Sequence, residues 1–378
     1  MIYKRLVGFV LIYAVSLSSY ADGAIITQEN APILLAQARE GELMPRRLRS
    51  EDNARAFASW TPLIEAAAKG ETERVKKLLR EGRQDLDGRD EDGRSALMYA
   101  AWKGHNGIIR LLLKQQGVAV NTRDLDGFTP LLWAAQGGYA DTLEILIRAG
   151  AELEIADHQH QTVMHWVVGR NFVDAYQTLL KHGANINATD HRGWTPLMMA
   201  IEKGYNALAE DLLEKGANIH QRSARGHTAL WLAIARGNQT MARRLIPYVR
   251  EVNRRDKDGF TLFHHAARYG DSNSVLSLLG KSADLSLTTP NGNTALILAA
   301  GRGHSNAVKT LLQRGAERDG RNDFGNTALH VAAKMGYDDT VQLLLRSGAN
   351  TRIKNKFGET AGDLATSYGH HNLAASLR

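Results

Sequence analysis

A threonine or serine returns at almost constant spacing along most of this chain: Thr61, Ser95, Thr129, Thr162, Thr195, Thr228, Thr261, Thr294, Thr327 and Thr360. The first two intervals are 34 residues and the next seven are 33. Such a register constrains the fold more than any other feature. A segment of this length forms one supersecondary unit that cannot bury its own apolar face, so it must stack on copies of itself. The domain number that 378 residues would otherwise suggest therefore does not apply.

Each unit specifies two helices. Thr is a good N-cap, and Pro follows at the first helical position in Thr61-Pro62, Thr129-Pro130 and Thr195-Pro196. Five and six residues after Thr comes an Ala pair, as in Ala66-Ala67, Ala134-Ala135 and Ala332-Ala333, which lets neighbouring helices approach closely. Nine residues after Thr stands Gly (Gly70, Gly104, Gly138, Gly336), where the first helix ends in a left-handed turn. The second helix carries apolar residues at i, i+3 and i+4, such as Val341, Leu344 and Leu345, and closes at RSGAN, KHGAN or EKGAN. A turn rich in Asp, Asn and Gly (RDEDG, RDLDG, RDKDG) then leads to the next Thr and predicts a short β-hairpin.

These units resemble the ankyrin-repeat family. Its pattern G-x-T-P-L-H-x-A-A-x-x-G-H appears here as GFTPLLWAAQGGY, GNTALILAAGRGH and GNTALHVAAKMGY. The resemblance covers residues 61–378 and implies an all-α solenoid, a stack of ten helix-turn-helix units with short β-hairpin loops. In the family the concave face binds other proteins, and no particular reaction is implied. Departures are local. The fourth unit has Val167-Val168 in place of the Ala pair and Asn171 in place of the helix-ending Gly. The sixth carries Pro247 and lacks the closing Gly-Ala. The last has Gly362 and Asp363 where Leu and His are expected, and reads as a C-terminal cap.

The repeated residues are scaffold, so information about a partner lies where the units vary. Family geometry implies exposure for the residue before Thr, which is a large aromatic at Trp60, Phe128, Trp194 and Phe260. Exposed aromatics are favoured interface anchors. The same geometry implies that the residue eight positions after Thr faces the groove. That position holds Lys69, Lys103, Gly137, Arg170, Lys203, Arg236, Tyr269, Arg302, Met335 and Tyr368, a row with six cations. Together with Trp102, Trp133 and Trp166 on the same inner side, it marks units two to five as the expected binding region for a protein with an acidic surface.

Catalysis has no footing in the residues. His165, His264 and His330 occupy the His of the opening motif, which serves structure in the family. Adjacent pairs such as His264-His265 point in different directions on a helix, and the DHQH run at residues 157–160 lacks complementary metal ligands. No phosphate-binding loop, zinc-protease motif or nucleophile elbow is present, and no cofactor is expected.

Composition bears on compartment. With 43% hydrophobic and 23% charged residues the chain can build a core, and its net charge of +7 permits an acidic partner without requiring nucleic acid. Lys4 and Arg5 precede an apolar run from Leu6 to Leu17, followed by SLSSYADGA, with cleavage expected after Ala21 or Ala24. The expectation is a secretory signal over residues 1–21, a linker and helical cap over 22–60, and repeats over 61–378. The apolar run is shorter than the roughly 20 residues of a membrane-spanning helix, so no stable membrane insertion is expected after cleavage; the rival reading is that the run is kept uncut as a membrane anchor. Without any cysteine, the exported protein relies on packing alone, which fits a bacterial periplasm. Export separates it from nucleic acid. Three roles follow: a periplasmic module that binds a partner protein, in its sharpest form an immunity protein neutralising an antibacterial effector; a helper of a periplasmic enzyme, such as one in oxidative defence; or a secreted factor binding host proteins.

Overall fold

A computed structural model describes residues 60–82 and 85–377; the signal and linker readings over residues 1–59 lie outside it. Ten helix pairs follow the ten units. They are α1 (Pro62–Lys69) and α2 (Thr72–Arg80), α3 (Ala96–Lys103) and α4 (Asn106–Leu113), α5 (Pro130–Gly137) and α6 (Ala140–Arg148), α7 (Val163–Gly169) and α8 (Val173–Lys181), α9 (Pro196–Glu202) and α10 (Asn206–Glu214). The series continues with α11 (Ala229–Ala235) and α12 (Gln239–Leu245), α13 (Leu262–Arg268) and α14 (Ser272–Leu279), α15 (Ala295–Ala300) and α16 (Ser305–Gln313), α17 (Ala328–Met335) and α18 (Asp338–Arg346), α19 (Ala361–Ser367) and α20 (His371–Ser376). Each odd-numbered helix packs on the next odd-numbered one, forming an inner layer that even-numbered helices cover from the outside.

Local chemistry sets the ends. Thr129 Oγ1 accepts the Leu132 N–H at 3.3 Å, and Gly138 closes α5 at φ 73° with its N–H turned back onto the helix. In the fourth unit Asn171 adopts the same left-handed conformation, φ 59°, and the register survives the loss of glycine. Val167 and Val168 are fully buried where other units bury Ala pairs. Asp363 takes over the capping task of the missing His: its carboxylate accepts the Thr360 N–H at 2.8 Å. Pro247 ends α12 in a short 3-10 turn, Ile246–Tyr248.

The loops differ from the expected β-hairpins. Among the described residues the only β pairing is a single antiparallel bridge between Arg255 and Thr261. The reason is a side chain. In the loop before α5, Asp124 N–H donates to Phe128 O at 3.0 Å, but the reciprocal Phe128 N–H goes to Asp124 Oδ1 at 2.8 Å, not to the backbone carbonyl. The carboxylate thus takes a donor that a strand ladder needs. Consecutive loop tips are joined to each other, from Leu125 N–H to Asp92 O (2.9 Å) through Lys257 N–H to Arg225 O (3.2 Å). The series stops at Pro290, which has no N–H, and resumes with Asp323 N–H to Asn291 O at 3.2 Å.

Candidate protein-binding face

The residues eight positions after Thr form a continuous row across the inner layer. A Cβ on Gly137 would lie 3.2 Å from the carbonyl oxygen of Trp102 in the preceding unit. Arg236 is ion-paired with Glu202 of the unit before it, and Lys334 lies 4.8 Å over the Tyr368 ring of the unit after it. Such contacts come from stacking in phase.

The cations of the row are not equivalent. Lys69 is spent on Glu65 at 2.6 Å, and Arg236 on Glu202. Between them Lys103, Arg170 and Lys203 have no carboxylate partner among the described residues. Lys103 Nζ sits 4.0 Å from the centre of the Trp102 ring and the Arg170 guanidinium 4.5 Å from that of Trp166, so each charge is held on an aromatic face. Burial without a carboxylate holds the Arg170 pKa below the ordinary arginine value. Lys203 projects into solvent. Further along, Tyr269, Met335 and Tyr368 are exposed (39%, 43% and 54%) and Arg302 is half-buried.

The aromatic anchors require correction. Phe128 is only 8% exposed, and Trp60, Trp194 and Phe260 are half-buried. They wedge between loop and inner helix: Phe128 packs 4.9 Å from Trp133 and 5.1 Å from Trp166, Trp60 lies 4.8 Å from Tyr99, and Phe260 lies 5.2 Å from His265. Trp194 is covered by Arg192 at 4.3 Å. Trp133 (2%) and Trp166 (9%) are buried as well, because their indoles turn inward to carboxylates. Of the expected aromatic contacts, Phe128, Trp133 and Trp166 are withdrawn from the surface, while half-buried Trp60, Trp102, Trp194 and Phe260 keep part of theirs and Tyr269 is exposed.

Those inward carboxylates are functional partners that the repeat pattern alone does not mark. Trp133 Nε1–H donates to Asp124 Oδ2 at 2.9 Å, Trp166 Nε1–H to Asp157 Oδ2 at 3.0 Å, and Tyr99 O–H to Asp90 Oδ2 at 2.7 Å. In the seventh unit His265 Nε2 meets Asp256 Oδ2 at 2.8 Å. Asp256 stays below the usual carboxylate range: burial acts to raise its pKa, but His227 close by at 3.6 Å and hydrogen bonds from His265 and the Phe260 N–H outweigh it. The eighth and ninth units, with Leu298 and Val331 at that place, carry Thr289 and Asn322 in the loop, whereas the fifth keeps Asp190 opposite Met199 and satisfies it with Arg192 Nε at 3.1 Å. The signal in the chain is a donor nine residues after an aspartate, in the second, third, fourth and seventh units.

The motif histidines are structural. Thr162 N–H donates to His165 Nδ1 at 3.2 Å, which leaves Nε2 as the N–H that bonds the Trp194 carbonyl at 3.0 Å. His264 and His330 repeat this with the carbonyls of Leu287 (2.9 Å) and Glu359 (3.2 Å). Burial holds all three pKa values down, that of His264 to about 4, so the rings are neutral. In the DHQH run Asp157 faces Trp166 and not the neighbouring histidines. Among the described residues no group of three or more His, Cys, Asp or Glu is placed to hold a metal ion, and no helix is long and apolar enough to cross a membrane.

No curated protein matches the chain. The family model described as ankyrin repeats (3 copies) matches five overlapping stretches, residues 33–124, 63–157, 131–223, 197–289 and 263–355, the first beginning upstream of Thr61. Matched over most of its length and built as a two-layer stack of helix pairs in phase, the chain belongs to the ankyrin-repeat family, whose members are in general protein-binding scaffolds and typically not enzymes.

Proposed function

We propose that the protein is a periplasmic module that binds an acidic partner protein on the inner face of units two to five, without chemistry of its own. The observation that carries this reading is the contrast within one row. Lys69 and Arg236 are neutralised by Glu65 and Glu202, whereas Lys103, Arg170 and Lys203 between them lack carboxylates. Two of those three already rest on tryptophan faces, so little side-chain freedom is lost when a partner docks. Export rests on Lys4, Arg5, the apolar run to Leu17 and the small residues after it.

The test is affinity capture from the periplasm of the native organism, comparing the natural chain with a Lys103→Glu, Arg170→Glu, Lys203→Glu variant and with Arg236→Gln as the control for a cation already paired. One dominant partner, retained by the control and lost by the triple variant, supports the proposal. Retention by all three proteins refutes it. The partner's identity decides the role: an effector toxin makes this an immunity protein, and a catalase or similar enzyme makes it a helper.

A further inference from the structure

The same row contains a position at which no side chain is present and another takes its place. A Cβ built on Gly137 would lie 2.3 Å from Cε2 of Tyr139, so the tyrosine ring occupies the space where a side chain at 137 would begin. That ring also sits against Gly104, whose Cβ would approach it to 2.8 Å, and is 39% exposed. Read along the inner face from unit two to unit five, the surface therefore presents Lys103, the Tyr139 ring, Arg170 and Lys203: cation, aromatic, cation, cation.

Spacing converts this order into a statement about the partner. Packed helices lie about 8–10 Å apart, and an extended chain advances roughly 3.3 Å per residue, so one unit of the stack corresponds to about three residues of an extended ligand. Resting on the proposed binding face, we infer that the partner segment is extended and carries an acidic residue, then an apolar one three positions on, then two further acidic residues at successive three-residue intervals. The apolar side chain meets the Tyr139 ring while the carboxylates meet Lys103, Arg170 and Lys203. Charge complementarity selects the acidic class, because Lys103, Arg170 and Lys203 are the cations of this stretch without carboxylates of their own. The exposed ring between them selects the register.

The experiment uses the full chain and two synthetic, end-capped peptides of identical composition. The first has glutamates at its second, eighth and eleventh positions and leucine at its fifth, with Gly and Ser elsewhere. The second groups the three glutamates together ahead of the leucine. Affinities are read by fluorescence anisotropy at low salt. The spaced peptide is expected to bind about tenfold more tightly than the grouped one, a difference of about 1.4 kcal/mol. Tyr139→Ser is expected to reduce that preference, and Lys203→Gln, at an exposed position, to weaken the spaced peptide alone. Equal affinity for both peptides, lost in Arg170→Gln, overturns the register while leaving the binding face intact. Equal affinity that survives Lys203→Gln and Arg170→Gln overturns both, and absence of binding by either peptide overturns the register inference, with the capture experiment deciding the face.

Discussion

Replacing Trp133 with Phe removes the indole N–H together with part of a buried ring system. The indole nitrogen donates to Asp124 Oδ2 at 2.9 Å, and the other carboxylate oxygen already accepts the N–H groups of Asp126 (3.0 Å) and Phe128 (2.8 Å). Both partners are buried, with 2% and 6% exposure, so Trp133→Phe leaves a charged acceptor short of a donor. A hydrogen bond to a charged group contributes about 1.5–3 kcal/mol, and we expect it to account for about 2 kcal/mol of the loss, with the cavity left by the smaller ring adding to that. Asp124→Asn alone turns an amide N–H₂ toward the indole N–H, two donors facing one another, at similar cost. Combined, the two changes reproduce the ninth unit, where Asn322 faces a loop and Val331 offers no donor. The double variant should therefore lose less than the sum of the single variants, by about 2 kcal/mol of coupling. The assay is urea unfolding followed by circular dichroism, with hydrogen exchange at residues 124–128 to localise the effect. Additivity within about 0.5 kcal/mol would refute the claim that this pair fastens loop to helix.

Three further outcomes follow from other sites. Asn171 holds φ 59°, so Asn171→Gly should preserve stability while Asn171→Val costs about 1–2 kcal/mol, read from the urea midpoint; equal midpoints would contradict the left-handed cap. His264 takes up its proton only near pH 4 when folded, against 6.5 as its ordinary value, so the unfolded chain binds the extra proton between those values and stability falls as pH drops through that window. For this one residue the full loss is about 3 kcal/mol, and a urea midpoint that stays flat between about pH 6.5 and 4.5 would exclude it. Partner association should slow steeply as salt rises, and far less so for Lys103→Gln with Lys203→Gln; identical salt dependence would remove the free cations from the encounter.

The inner architecture could be read from spacing because each of its devices is local. Thr61 with Pro62, the Ala pairs and Gly138 each act within one helix, so their positions in the chain state their positions in the fold. Lys69 with Glu65 is legible for the same reason, as an i,i+4 pair. The pairing of Arg236 with Glu202 spans 34 residues and becomes visible only once the units are laid in phase. Phe128 and Trp194 misled because exposure is decided by what lies across the loop. Bulky Trp133 and Trp166, four residues after their threonines, cover Phe128 from two units at once. Tyr139 is not legible in the sequence because its place in the row is marked by an absence, the glycine at 137, and not by a residue type.

The tip-to-tip hydrogen bonds have a consequence for mechanics. In a linear array each unit is held by its neighbours alone, so the strength of the whole is that of its weakest junction. Every loop from the third unit through the seventh is tied to the one before it by a backbone hydrogen bond, and so are the ninth and tenth; at Pro290 that bond is missing, the loops are joined by Arg255 Nη1 donating to Thr288 O at 2.6 Å, and the proline ring presses on Gly259, where an added Cβ would come within 2.5 Å. Stretched from its ends, the line of loop ties should open first between the seventh and eighth units, leaving the loops beside the cationic face of units two to five still joined to one another.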